Sequence, residues 1–220
     1  MYISIMISKE YKSNYLNFIT SVPDNYSEDK KYKIMILMHG FGASMYDLVN
    51  LAPSINHNDF IYVFPNAPLE IELGFNQTGY AWFPIESQNY QESSKLLNKT
   101  IDEALSMFNS NQIYIGGFSQ GGMMAVHAGL ISEKEYEGVI ALSAKIIDSN
   151  DLMLKKNKPE NTKLFISHGR FDSVISINDS FYMKKKLEDL GFKISFNEYE
   201  MGHEINPQVL NDLSEWIAKN

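Results

Sequence analysis

Gln112-Ile113-Tyr114-Ile115-Gly116-Gly117-Phe118-Ser119-Gln120-Gly121-Gly122-Met123-Met124-Ala125-Val126-His127 is the stretch that decides the fold. A β-branched and aromatic run leads into a glycine-flanked serine, and an apolar run follows at once. Gly117-x-Ser119-x-Gly121 in that setting has the pattern of a nucleophile elbow, a strand that turns directly into a helix. Such a turn forces the serine into a strained backbone conformation, and the positions two before and two after it approach too closely for side chains. The hydroxyl is then held clear of the backbone, with a helix N-terminus behind it that favours negative charge. A glycine-rich turn without chemistry would not call for an apolar strand before it and a long apolar helix after it.

Upstream, Ile34-Met35-Ile36-Leu37-Met38 is a continuous apolar run, the pattern of a strand covered on both faces. It ends in His39-Gly40-Phe41-Gly42-Ala43-Ser44, a loop able to turn backbone N–H groups inward, and a helix over 44–52 capped by Ser44 is expected next. Phe60–Phe64 reads as another strand, closed by Pro65. Before these, 2–7 and about 14–21 read as two strands of a meander, the second ended by Pro23-Asp24-Asn25. Residues 66–88 are irregular and rich in aromatics. This loop, carrying Phe75, Trp82 and Phe83, is expected to form part of a pocket wall.

Downstream, 89–109 has a helical apolar stripe and the helix after Ser119 should reach about 131. Strands are expected at 138–142, 163–167 and 192–199, with helices at 176–190 and from Pro207 to Lys219. The tract 143–161 is too short to build a large cap. Two strands followed by repeated strand–helix units give an α/β fold: a mostly parallel sheet of about eight strands with helices on both faces. Residues 1–220 read as a single domain, with no repeat or linker.

The net charge of −8 argues against nucleic acid or an anionic membrane surface as partner. With no cysteine, disulfides, thiolate metal ligands and a cysteine nucleophile are excluded, and nothing asks for a metal or a cofactor. The N-terminus alternates apolar and polar residues as an edge strand does, without the features of a signal peptide, and no apolar run is long enough to span a bilayer. A cytoplasmic protein is expected, and a homodimer is left open.

In a sheet of this kind reactive groups gather beyond the C-terminal strand ends. Four loops meet there, carrying His39-Gly40-Phe41, Ser119-Gln120, Asp172 and His203. A serine hydroxyl needs a base beside it. His127 lies eight residues along the helix from Ser119 and cannot reach back, and His57 sits in a polar loop. His39 and His168 stand at strand ends, where a hydrogen-bonded imidazole fixing a loop is the better reading. His203, in a loop after the last strand and beside Gly202, is the expected base, and Ser…Asp…His is the chain order of the α/β-hydrolase triad. Asp172 is the favoured third member, with Asp148 as the alternative and Asp179 a surface charge. Arg170, the only arginine, could hold the Asp172 loop or simply lie on the surface. The backbone N–H groups of Gln120 and Phe41 are the expected oxyanion donors.

The segments Leu37-Met38-His39-Gly40-Phe41-Gly42-Ala43, Phe64-Pro65-Asn66-Ala67-Pro68, Trp82-Phe83, Gly116–Gly122, Ala141-Leu142-Ser143, His168-Gly169-Arg170-Phe171-Asp172 and Met201-Gly202-His203-Glu204-Ile205 together resemble the phospholipase/carboxylesterase group of α/β-hydrolases. That group comprises small cap-less esterases, including acyl-protein thioesterases. The resemblance covers about residues 33–219. It implies Ser119, Asp172 and His203 as triad, Phe41 and Gln120 as oxyanion donors, and Trp82 on the acyl or alcohol side of the site. The loop reading Phe41-Gly42, where the group often has Leu-Gly, narrows the mouth, and the N-terminal strands look more like those of other α/β-hydrolases. The implied activity is a serine carboxylester hydrolase for short- to medium-chain acyl esters, with thioesters open, acting on a small-molecule ester through an acyl-serine. A serine peptidase or amidase on the same triad, and a catalytically silent binding module, are the alternatives.

Overall fold

A computed structural model describes residues 6–75, 77–87, 89–147 and 161–219. Part of the expected first strand (2–5) and the alternative carboxylate Asp148 lie outside the described residues. The elements are β1 (Ile7–Tyr11), β2 (Phe18–Val22), β3 (Tyr32–Met38), α1 (Ala52–Ile55), β4 (Phe60–Pro65), β5 (Leu69–Gly74), β6 (Gln77–Ala81), α2 (Gln91–Ser106), β7 (Ser110–Phe118), α3 (Gln120–Ile131), β8 (Gly138–Leu142), β9 (Lys163–Gly169), α4 (Ile177–Asp189), β10 (Lys193–Tyr199) and α5 (Pro207–Lys219).

Eight strands form one sheet in the order β1-β2-β4-β3-β7-β8-β9-β10. The pairs β1–β2 and β2–β4 are antiparallel, and every other neighbouring pair is parallel. Period-two alternation divides the core. Ile34, Ile36, Ile115, Val139, Ala141, Leu164 and Ile166 face α2, α3 and α4. Met35, Leu37, Tyr62, Tyr114, Ile140 and Phe165 face α1 and α5. The continuous apolar runs read from the sequence are therefore two interleaved faces, each covered by helices. In α3 every residue from Gln120 to Leu130 is buried, whereas α5 buries only the stripe Val209, Leu210, Leu213 and Ile217. Among the described residues no cap domain stands over the sheet, and no helix is long and apolar enough to cross a membrane.

The chain departs from expectation in three places. The first two strands sit later, at 7–11 and 18–22, because it is Ile7–Tyr11 that pairs with Phe18–Val22. The segment expected as a helix over 44–52 begins as turns, with a 3₁₀ turn at Val49–Leu51 and the short α1 around Pro53. Proline suits the first helical turn and not a helix interior, so it marks a start here. Residues 66–88 are not irregular throughout: β5 and β6 form an antiparallel hairpin with Leu69 opposite Ala81.

Chain order places the site. β3 has β4 on one side and β7 on the other, so the loops leaving β3 and β7 lie side by side, with Met38 in register with Gly117. A crevice at such a reversal of strand order is where ligands bind in open α/β sheets.

Candidate active site

Ser119 occupies the turn between β7 and α3 with φ 53° and ψ −118°, a conformation that non-glycine residues rarely adopt. The glycines around it permit that geometry. A Cβ on Gly117 would lie 2.4 Å from the backbone of Gly121, and a Cβ on Gly40 would lie 3.4 Å from the Ser119 Cβ. The Ser119 N–H donates to the Leu142 carbonyl at 2.8 Å, tying the elbow to the end of β8. The strained turn, on the order of 1–3 kcal/mol, is held by its surroundings.

The loops after β9 and β10 are knit together. Arg170 N–H donates to the Tyr199 carbonyl at 2.8 Å and Phe171 N–H to the Met201 carbonyl at 3.0 Å. Gly169 is required for this approach, since a Cβ there would lie 2.3 Å from the Gly202 carbonyl oxygen. Asp172 and His203 are thereby brought into contact from positions 31 residues apart.

The three expected side chains form one line. His203 Nδ1 lies 2.7 Å from Asp172 Oδ2, and His203 Nε2 lies 3.0 Å from Ser119 Oγ. The Asp172 side chain is fully buried, and its Oδ1 accepts from the N–H groups of Val174 and Ile175, both at 2.9 Å. Burial raises the Asp172 pKa, but the hydrogen bond from His203 and those from Ile175 and Val174 outweigh it, and the carboxyl is held below its usual range. An ionised carboxylate only accepts, so Nδ1 carries the His203 proton and Nε2 presents its lone pair to the serine hydroxyl. The Phe118 ring packs 4.8 Å from the imidazole and limits its swing. Such an arrangement can remove the hydroxyl proton as the serine attacks and stabilise the imidazolium that results.

The backbone N–H groups expected to receive an oxyanion belong to Gln120 and Phe41. Gln120 opens α3, so its N–H has no intrahelical acceptor. The Phe41 N–H belongs to the peptide whose carbonyl, on Gly40, accepts from His39 Nδ1 at 2.7 Å. In a trans peptide the N–H points opposite to the carbonyl, so His39 sets the direction of the Phe41 donor. His39 Nε2 in turn accepts from the Ala67 N–H at 3.1 Å. Burial lowers the His39 pKa to about 4, against the opposing effect of its bond to Gly40.

The Gln120 side chain, which the sequence reading did not require, has a task of its own. Its Oε1 accepts from Trp82 N–H at 2.8 Å and its Nε2 donates to the Phe83 carbonyl at 2.7 Å. Trp82 is fully buried, its indole N–H donates to the His39 carbonyl at 2.9 Å, and its own carbonyl accepts from Ser93 Oγ. The expectation that Trp82 lines the site is thus corrected. It has no surface to offer a ligand and anchors the chain behind the His39–Phe41 loop. Phe75 is fully exposed at the tip of the β5–β6 hairpin, with φ 50°. Gly42 N–H donates to the Tyr80 carbonyl and Tyr80 N–H to the Ala43 carbonyl, both at 2.9 Å, which fastens the hairpin to the Phe41 loop.

The other candidates serve structure. His57 Nδ1 lies 3.3 Å from the Pro53 carbonyl, the His127 ring packs 4.0 Å from that of Tyr90, and His168 Nε2 lies 2.9 Å from the Ile175 carbonyl. Arg170 pairs with Glu198 at 3.0 Å on the surface. Among the described residues no three His, Cys, Asp or Glu side chains are placed to hold a metal ion. A cleft of about 680 Å³ lined by Phe108, Ile113, Glu135 and Lys163 opens at the N-terminal strand ends, away from the triad.

Comparison with known proteins agrees with this geometry. A profile described as Phospholipase/Carboxylesterase matches residues 25–220. Acyl-protein thioesterase 1 of Candida albicans is 30% identical, covering 89% of this chain and 94% of its own. Acyl-protein thioesterase 1 of Aspergillus fumigatus is 26% identical, covering 86% of this chain and 89% of its own. Among solved structures, a carboxylesterase from Mesorhizobium loti superposes with a TM-score of 0.79 at 16% identity, covering 97% of this chain and 99% of its own. Esterase PE8 gives 0.75 at 24% identity, covering 87% of this chain and 94% of its own. The chain belongs to the phospholipase/carboxylesterase family, on an α/β-hydrolase fold.

Proposed function

We propose that Ser119, His203 and Asp172 hydrolyse carboxylic esters and thioesters through an acyl-serine. The enzyme class is that of the family, a serine esterase, and the comparisons do not favour the peptidase or non-catalytic readings. His203 Nε2 takes the Ser119 proton as Oγ attacks the acyl carbonyl. The N–H groups of Gln120 and Phe41 receive the oxyanion, each worth about 3–4 kcal/mol of barrier. His203 then protonates the departing alkoxide. A thiolate leaves with less need of that proton, which suits the same site to thioesters. Water, deprotonated by His203, releases the acid.

The observation that carries this reading is the 3.0 Å contact between Ser119 Oγ and an imidazole whose other nitrogen is held at 2.7 Å by a buried carboxylate. Phe41 on the loop after β3, and Phe171 and Val174 on the Asp172 loop, are exposed apolar side chains. With Phe75 at the hairpin tip, they are proposed to meet the apolar part of a small neutral ester. The charge of −8 sets against a nucleic-acid ligand. The test is turnover of p-nitrophenyl acetate and butyrate: Ser119→Ala should abolish it while leaving the circular-dichroism spectrum unchanged. Retained turnover in a folded Ser119→Ala variant refutes the assignment.

A further inference from the structure

His168 closes β9 and is fully buried. Its Nε2 lies 2.9 Å from the Ile175 carbonyl oxygen and 3.3 Å from Asp172 Oδ2, the same oxygen that contacts His203 Nδ1. Both neighbours are acceptors only, so the ring proton resides on Nε2 and Nδ1 bears a lone pair. That Nδ1 is buried without a hydrogen-bond partner among the described residues.

An imidazole buried with one nitrogen unsatisfied carries a cost that an apolar side chain of similar size would avoid. Its return lies in what Nε2 does. Ile175 is held at both ends of its backbone: its carbonyl accepts from His168, and its N–H donates to Asp172 Oδ1 at 2.9 Å. His168 therefore fixes the residue that fixes one carboxylate oxygen, and sets an N–H dipole beside the other. Val174 N–H and His203 Nδ1–H supply the remaining contacts. Three N–H donors, those of Ile175, Val174 and His203, thus hold Asp172, with the His168 ring 3.3 Å from Oδ2.

We propose that His168 is a positioning residue for the triad, holding Asp172 through Ile175 so that Oδ2 stays in line with His203 Nδ1. The inference rests on the proposed serine-hydrolase reading, but one of its tests does not. His168 touches no substrate and moves no proton. Its contribution is to the fraction of time the Asp172–His203 pair is aligned, a property of the chemical step rather than of substrate binding.

The first test compares His168→Leu, which removes the donor, with His168→Gln, whose amide can restore an N–H near the Nε2 position. kcat and KM for p-nitrophenyl butyrate are normalised to active sites titrated with a fluorophosphonate. His168→Leu should lower kcat by about tenfold or more with KM within about twofold, and His168→Gln should recover most of the lost kcat. A folded His168→Leu variant with wild-type kcat overturns the proposal, as does a folded His168→Gln variant no better than His168→Leu. Should the leucine variant not fold, ¹⁵N spectra of histidine-labelled wild-type protein decide: the proposal requires His168 protonated on Nε2, and a proton on Nδ1 overturns it. That readout needs no turnover, so it separates failure of this inference from failure of the esterase reading, which Ser119→Ala tests.

Discussion

A Cβ on Gly121 would lie 2.2 Å from the carbonyl oxygen of Met38. The first turn of α3 is therefore seated against the end of β3 as closely as backbone can approach backbone. The same contact brings the Phe41 loop beside Ser119, since His39 and Gly40 follow Met38 directly. Neither partner is the flexible end of a side chain, so the contact cannot yield locally. Gly121→Ala should cost about 3 kcal/mol or more, as an overpacked core does, and should displace Ser119 from His203. Urea denaturation and ester turnover measure the two effects. A variant with wild-type stability and wild-type turnover would show that the approach is looser than drawn.

Gln120 separates the two roles of one residue. Its backbone N–H is the proposed oxyanion donor, while its side chain holds Trp82 N–H and the Phe83 carbonyl. Gln120→Leu keeps the first and removes the second, leaving two buried backbone groups unpaired at about 1–3 kcal/mol each. The expected outcome in denaturation is a loss of about 2–5 kcal/mol. A change within about 0.5 kcal/mol, the size of an ordinary surface substitution, would mean the 82–83 segment is held by other contacts.

His39 ties the site to acid stability. Its native pKa of about 4 lies below the ordinary 6.5, so between those values the unfolded chain binds a proton that the native one does not. Stability then rises with pH across that window and is lost as pH falls from about 6.5 to about 4, by on the order of 3 kcal/mol in all. Asp172 acts in the same direction lower down. Its depressed pKa stabilises the native state above the ordinary carboxylate range and is lost as pH falls through the native value. Proton NMR should find the His39 ring neutral at pH 5.5. Titration of that ring near 6.5 would contradict the buried, doubly hydrogen-bonded imidazole.

Phe75 holds φ at 50° with its ring wholly in solvent. Asparagine tolerates that conformation better than phenylalanine, so Phe75→Asn should leave stability equal or slightly raised. If the ring meets the acyl chain, the same variant raises KM for longer p-nitrophenyl esters and leaves that for the acetate unchanged. An unaltered chain-length profile would remove Phe75 from the binding surface.

The parallel strands and the elbow were legible because each is signalled locally, by an apolar run such as Ile34–Met38 or by glycines placed two residues either side of Ser119. The hairpin at 69–81 does carry a signal, since Leu69, Ile71 and Leu73 alternate with Glu70 and Glu72, but the flanking Pro68 and Gly74 are turn formers and weaken it. The helix expected at 44–52 rested on Ser44 as a cap, while Pro53 marks a later start. The Gln120 clamp was beyond reach. It joins residues 37 and 38 positions apart through backbone groups, which leave no trace in side-chain identity. The burial of Trp82 is illegible for a related reason, because an aromatic in a long loop can face a ligand or the core, and only packing decides.

In the proposed mechanism His203, held by Asp172, makes the Ser119 hydroxyl a nucleophile. The direct measurement is labelling by a fluorophosphonate, followed by peptide mapping in the mass spectrometer. One adduct is expected, on Ser119, absent from Ser119→Ala and formed at least about a hundredfold more slowly in His203→Ala. An unlabelled Ser119 in protein that still hydrolyses esters, or undiminished labelling in a folded His203→Ala variant, would contradict it.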